Sequence, residues 1–166
     1  MSRGSVREDD QEEVPLVPPR ASLPDGVANY VTPRDLEQLH RERAEPIGER
    51  ARVTGSDDDR RHTRTWLDGR LALLQERIGS AHLIEPASDH TEVRSGSTVT
   101  RQHLTGPLKD QMRTWTIAGV DDALVKERRM AFTAPLARTL MGHRVGDELS
   151  LPMGGVPHHF RITHIA

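Results

Sequence analysis

Cysteine is absent from the 166 residues, which removes disulfides, thiolate zinc sites and a Cys nucleophile from consideration. Aromatic side chains are scarce, at 3% of the chain: Tyr30, Trp66, Trp115, Phe132 and Phe160. They are too few to line a large aromatic pocket. Lysine occurs only at Lys109 and Lys126. Lys and Arg together number 23 against 25 acids, a formal net charge of −2. With no global basic field, contact with nucleic acid is expected to be indirect at most. No apolar run approaches the ~20 residues of a membrane span. The opening residues, Met1 to Asp10, contain no apolar h-region, so no secretory signal is expected. Ser-His-Asp spacing, a Gly-rich phosphate loop and a His-Glu-x-x-His motif are also missing. The expectation is a soluble, cytoplasmic monomer without a catalytic residue of its own.

The composition divides the chain into three. Residues 1–31 hold Pro15, Pro18, Pro19 and Pro24 and an acidic cluster from Glu8 to Glu13. Few large apolar groups are present to offset ordering entropy, so this stretch reads as a disordered acidic, Pro-rich tail. Its Val14-Pro-Leu-Val-Pro-Pro run also suits polyproline II docking. Residues 32–80 carry ten basic and ten acidic residues. Thr32-Pro33 is a helix start, with Thr as N-cap and Pro at the first helical position. Leu36, Leu39, Ile47 and Ala51 form an apolar stripe, and Pro46 predicts a break near Glu45. Gly55 suits a helix C-cap. Ser56 then caps a second helix opening on Asp57, Asp58 and Asp59. Its seam is Leu67, Leu71, Leu74 and Ile78, a four-three-four rhythm ended by Gly79 and Ser80. Two amphipathic helices and a short loop imply an antiparallel hairpin.

Residues 81–166 change period. Strands are predicted over 97–104, 112–120, 128–133, 147–151 and 158–165, with a short helix at 135–141 and a turn at Val145-Gly-Asp-Glu. The fold class is α+β: an N-terminal helical hairpin followed by a mainly antiparallel sheet carrying one short helix.

Four stretches resemble the GreA/GreB family of bacterial transcript-cleavage factors. They are Pro135-Leu-Ala-Arg-Thr-Leu-Met-Gly-His-Arg-Val-Gly-Asp-Glu, Met153-Gly-Gly with the strand ending Phe160-Arg-Ile-Thr-His-Ile, Asp68-Gly-Arg-Leu with Glu76-Arg-Ile-Gly-Ser-Ala-His-Leu-Ile-Glu, and Tyr30-Val-Thr-Pro with Leu36-Glu-Gln-Leu. The resemblance spans about residues 30–166. It implies a coiled-coil finger and an FKBP-like C-terminal domain that docks at the rim of the RNA polymerase secondary channel. The docking block it marks is Thr133, Ala134, Pro135, Leu136 and Arg138. The finger of such factors enters the channel, where tip acids help hold a magnesium ion shared with the polymerase active site. No stably bound metal or cofactor is implied in the factor itself.

The chain departs from that pattern at two places. The family tip reads Gly-Asp-x-x-Glu-Asn-Ala; here Gly55-Ser-Asp-Asp-Asp-Arg-Arg-His puts Arg60 or Arg61 near the Glu position. Each arm is about a heptad shorter than the family arm, which draws the tip back by ~10 Å. Magnesium coordination at ~2.1 Å does not tolerate that shortfall. The expectation is therefore polymerase binding with weak or no cleavage stimulation, the alternative being a full cleavage factor using Asp57, Asp58 and Asp59. Ala134 also stands where the family has an N-capping Ser, with Thr133 as the nearest substitute.

Each candidate also has a plain structural role. Asp57, Asp58 and Asp59 complement a helix dipole. Trp66 packs near the hairpin tip. Arg34, Arg41, Arg43, Arg50 and Arg52 alternate with acids along a solvated face. His158 and His159 point to opposite faces of a strand and cannot share one ion. A peptidyl-prolyl isomerase, the enzyme alternative for an FKBP-like fold, needs an aromatic-lined pocket. Only Trp115, Phe132 and Phe160 are on offer in this segment.

Overall fold

The computed structural model describes residues 14–85 and 88–166. Strand β1 (Asn29–Val31) leads into helix α1 (Pro33–Ala51), which is followed by helix α2 (Asp57–Gly79) and strand β2 (Ala81–Leu83). The two helices pack antiparallel, so the chain returns to its starting point and β2 pairs parallel to β1. The remaining strands are β3 (Thr98–His103), β4 (Met112–Ala118), β5 (Arg129–Ala131), β6 (Glu148–Met153) and β7 (Val156–Ile165), with helix α3 (Pro135–Leu140) between β5 and β6. They form one sheet in the order β5-β4-β3-β7-β6, antiparallel except for the β4–β5 pair. The α+β expectation holds.

Alternation explains the core. Along β3, Val99, Arg101 and His103 are buried while their neighbours are half-exposed. Phe160 and Ile162 of β7 and Ile117 of β4 meet Val99 on that face, and Ala137 and Leu140 of α3 close it. The β6–β7 hairpin turns at Gly154 and Gly155, both at positive φ, where residues with a Cβ are strained.

The helix start at Thr32 forms as its sequence requires. Thr32 Oγ1 accepts from the Asp35 N–H at 3.2 Å, and Asp35 Oδ2 accepts from the Thr32 N–H at 2.8 Å. That reciprocal pair is a capping box. The same Asp35 oxygen accepts from the Gly119 N–H at 3.0 Å, joining the hairpin base to the end of β4. A Cβ on Gly119 would stand 2.9 Å from Asp35 Oδ2 and 3.3 Å from the Tyr30 carbonyl oxygen. Glycine is there because the two chains approach too closely for any side chain.

Several expectations need correcting. Pro46 does not break α1, which runs unbroken to Ala51. Pro46 lies seven residues after Leu39, and both are buried against α2. The packing of its ring offsets the missing backbone donor. The stripe therefore passes through Pro46, and Ile47 is exposed. Arg52, and not Gly55, is the C-cap of α1; Gly55 sits in the tip loop at φ +116. The tail expected to be disordered over 1–31 is not uniform. Residues 1–13, with the Glu8–Glu13 cluster, lie outside the described residues. Residues 14–28 run as irregular chain against the hairpin, and 29–31 form β1. A count of apolar groups overlooked that Arg20 finds two carboxylates there.

Gly119→Ala should cost about 1–3 kcal/mol, because its Cβ displaces the carboxylate that holds two buried N–H groups. Urea denaturation of Gly119→Ala, Asp35→Ala and the double variant checks this. The two costs should fall well short of additive, since both changes break one contact. Full additivity would show that the contact carries no stability.

Candidate functional site

Two regions carry the residues singled out by sequence, and they lie on different elements. The first is the hairpin tip. Ser56 caps α2 as expected, with the Asp59 N–H donating to Ser56 Oγ at 3.2 Å and the Ser56 hydroxyl donating to Asp59 Oδ2 at 2.5 Å. The Ser56 backbone N–H donates to the same carboxylate at 3.3 Å. These bonds, the hydroxyl first, hold the Asp59 carboxyl below the usual range. Asp57 pairs with Arg60, one turn on, and Asp58 pairs with Arg61 at 3.0 Å. All three aspartates thus have partners within the tip.

Such a donor set does not fit a magnesium ion. One carboxylate is committed to the helix cap, and the other two face guanidinium groups that repel a dication. Among the described residues, no group of three or more His, Asp or Glu side chains is placed to hold a metal. Asp57 and Asp58 are nevertheless 84% and 88% exposed, and exposed ion pairs of this kind are weak.

The arms are braced below the tip by Arg50–Asp68 at 2.7 Å and Arg70–Glu45 at 4.0 Å. Trp66 is half-buried, with the Arg70 guanidinium 4.9 Å from its ring centroid. That is the packing role anticipated for it.

The second region is the block around α3. Pro135 occupies the first helical position and is exposed, as is Arg138. Arg138 has no ion-pair partner among the described residues. Ala137 and Leu140 anchor the other face in the core, and Leu136 is half-buried against it. Ala134 is the N-cap and supplies no side-chain bond, so Thr133 does not replace the missing Ser. Beyond the helix, Met141 and Val145 are exposed apolar residues. The turn that follows is fixed by Asp147, whose carboxylate accepts from the Arg144 N–H at 2.9 Å and from His143 at 3.1 Å. Those bonds, the backbone one first, hold Asp147 below the usual carboxylate range. The block is thus a rigid ledge with Pro135, Arg138, Met141 and Val145 facing solvent.

Phe160 is buried in the core, and Trp115 and Phe132 pack against it. None of the three is free to line an isomerase pocket.

Sequence reading missed a cationic group on the sheet. Arg101 and His103 are buried, at 6% and 2% exposure, with Arg101 Nη1 and His103 Nε2 3.1 Å apart. The guanidinium lies 4.8 Å from the Phe160 ring centroid, and the His158 ring is 6.5 Å from that of His103. Burial first, then Arg101, His158 and Arg113, push the His103 pKa down. The strand alternation held the signal, since Arg101 and His103 are in phase with Val99.

A family model described as "Transcription elongation factor, GreA/GreB, C-term" matches residues 88–166. Transcription elongation factor GreA of Acidiphilium cryptum (strain JF-5) is 33% identical over 108 residues, which cover 63% of this chain and 66% of that protein. The match thus stops just short of two thirds of that relative's length. GreA of Nitrobacter winogradskyi is 27% identical over 135 residues, 80% of this chain and 81% of that protein. Among solved structures, GreA factor homolog 1 of Thermus thermophilus is 20% identical, with 84% of this chain and 99% of that chain covered and a TM-score of 0.39.

His103 gives stability a pH dependence of its own. Its folded pKa lies below the ordinary value of ~6.5, so the unfolded chain binds more protons as pH falls through that value. Stability should decline from about pH 7 towards pH 5. His103→Gln should flatten that decline in urea midpoints measured across the range, and an unchanged slope would remove His103 from the account.

Proposed function

We propose that the chain is a GreA/GreB-type transcription elongation factor, a reading supported by the match of residues 88–166 to that family model and by the GreA relatives, and that it binds RNA polymerase through the α3 ledge and regulates elongation from the rim of the secondary channel. It acts in the cytoplasm by modulating the polymerase and contributes no catalytic group of its own. No helix among the described residues is long and apolar enough to cross a membrane. The hairpin enters the channel without stimulating transcript cleavage strongly.

The pairing of the tip aspartates is the observation that carries this reading. Asp57 and Asp58 face Arg60 and Arg61, and Asp59 serves the helix cap. The resemblance puts a Glu in the neighbourhood that Arg60 and Arg61 occupy here. Reach points the same way: the 19 residues of α1 extend about 28 Å at ~1.5 Å per residue.

The ledge supplies what a docking surface needs. Pro135 and Arg138 are exposed on a helix whose opposite face is fixed in the core. Met141 and Val145 add apolar area beside them. A rigid, partly apolar patch on which Arg138 has no ion-pair partner among the described residues suits a partner surface carrying a carboxylate.

Two measurements test the reading separately. Immobilised core RNA polymerase should retain the wild-type chain at micromolar concentration. Pro135→Asn should weaken retention by about tenfold, the ~1.4 kcal/mol of a central interface residue. No retention of wild type would sink the binding reading. On a stalled, backtracked elongation complex, the chain should stimulate cleavage weakly or not at all and should compete with an authentic cleavage factor. Strong cleavage that disappears in Asp57→Ala and Asp58→Ala would instead make it a full cleavage factor, with the exposed Arg pairs released on docking.

A further inference from the structure

The segment ahead of β1 has no regular hydrogen bonding, yet it is held at two points. Val17 lies against α2 so closely that a Cβ on Gly69 would stand 2.6 Å from Val17 Cγ2. Three residues later, Arg20 donates from Nη1 and Nη2 to the two Glu42 oxygens at 2.8 and 2.9 Å, and from Nε to Asp121 Oδ1 at 2.8 Å. Glu42 is on α1, and Asp121 is in the loop that follows β4. Arg77 of α2 pairs with the other Asp121 oxygen at 3.0 Å and donates to the Ala21 carbonyl. The side chains of Arg20, Arg77 and Asp121 are 17%, 11% and 9% exposed. Four separate pieces of chain therefore meet around the sheltered Asp121 and the half-buried Glu42.

Asp35 to Gly119 and Arg77 to Asp121 each tie the hairpin to the chain that follows β4, and Arg20 adds a tie on α1 away from its base. Asp35 ties the base of α1 to Gly119, and a helix fixed at one end can pivot about that end. Glu42 is two turns further along α1, about 10 Å at ~1.5 Å per residue. Asp121 is two residues beyond Gly119. Arg20 thus joins the same helix to the same loop a second time, off the first anchor. Two anchors ~10 Å apart fix an angle where one permits rotation.

We propose that residues 14–23 are an intramolecular clamp that sets the angle at which the hairpin projects from the sheet, with Arg20 as its latch and Val17 on Gly69 as its seat. The bidentate hold on Glu42 and the simultaneous bond to Asp121 need the planar, five-donor guanidinium. The seat needs a residue without a side chain at Gly69. The clamp operates in the free chain and does not rest on polymerase binding.

The absence of cysteine makes the test direct. Thr63→Cys on α2 and Lys109→Cys before β4, both exposed, take a pair of spin labels, and pulsed electron paramagnetic resonance reads their distance distribution. The full-length chain should give one narrow distribution. Arg20→Ala should at least double its width. Gly69→Leu, which unseats Val17 and leaves Arg20 intact, should broaden it as well. Arg41→Ala, which removes only a surface pair with Glu37, should leave it unchanged. An unchanged width in both clamp variants overturns the proposal. So does broadening that comes with loss of helical circular dichroism, because that assigns the segment to folding and not to the hairpin angle.

Discussion

Asp35 Oδ2 accepts two backbone N–H groups that belong to different parts of the molecule, Thr32 at the start of α1 and Gly119 at the end of β4. Asp35 is 3% exposed, so both bonds form out of water, where an unmade bond is costly. The first fixes where α1 begins. The second fixes where that beginning sits on the sheet. The base of the hairpin thus takes its place on the sheet from this one carboxylate. Its surroundings are built for it: Gly119 leaves the space, and Asp122 stands nearby between Arg129 at 3.0 Å and Arg34 at 3.6 Å. Burial pushes Asp122 up, with Arg129 pulling the other way. The joint thus combines a buried charged contact with an apolar one, Tyr30 of β1 standing edge-on to Phe132 with ring centroids 5.7 Å apart.

That choice of materials follows from composition. With aromatics at 3%, there is not enough large apolar surface to build a second core between hairpin and sheet. The available Phe160, Trp115 and Phe132 are used in or against the sheet's own core. Beside the Tyr30–Phe132 contact the joint is built from charge, and all but two of the 23 basic residues are arginine. Arginine can engage a carboxylate with both terminal nitrogens and still offer Nε elsewhere, which lysine cannot do. Arg20 does this with Glu42 and Asp121, and Arg129 divides its donors between Asp122 and Glu127.

Local signals in the chain were read well and longer-range ones poorly. Thr32-Pro33 and Ser56 marked both helix starts because capping is settled within four residues. The seam of α2 was legible because its spacing belongs to one helix. Pro46 misled because propensity concerns the isolated helix, while burial seven residues after Leu39 is decided by α2. Thr133 misled in the opposite sense, because a hydroxyl one residue early does not reach the orphan N–H groups of α3. The tip acids were legible as residues, but their pairing with Arg60 and Arg61 depended on helical phase. The least legible feature was the segment before β1. Its composition describes a solvated tail, and its order depends on Glu42, Gly69 and Asp121, which lie 22 to 101 residues away.

The same reasoning accounts for how the two candidate regions differ. The α3 ledge is rigid because its back face is core: Ala137 and Leu140 are at 0% and 1% exposure. Its outward residues carry no packing demand, and Arg138 has no ion-pair partner among the described residues. The tip has no core behind it. Its order comes from a capping box and from arginines one turn away, so the groups that stabilise the tip are the aspartates that a metal would need. A long finger can separate these demands by placing structural charges in the arms and functional ones at the end. At Asp59 the structural demand has prevailed: the carboxylate that completes the helix cap accepts two hydrogen bonds, from the Ser56 N–H and the Ser56 hydroxyl.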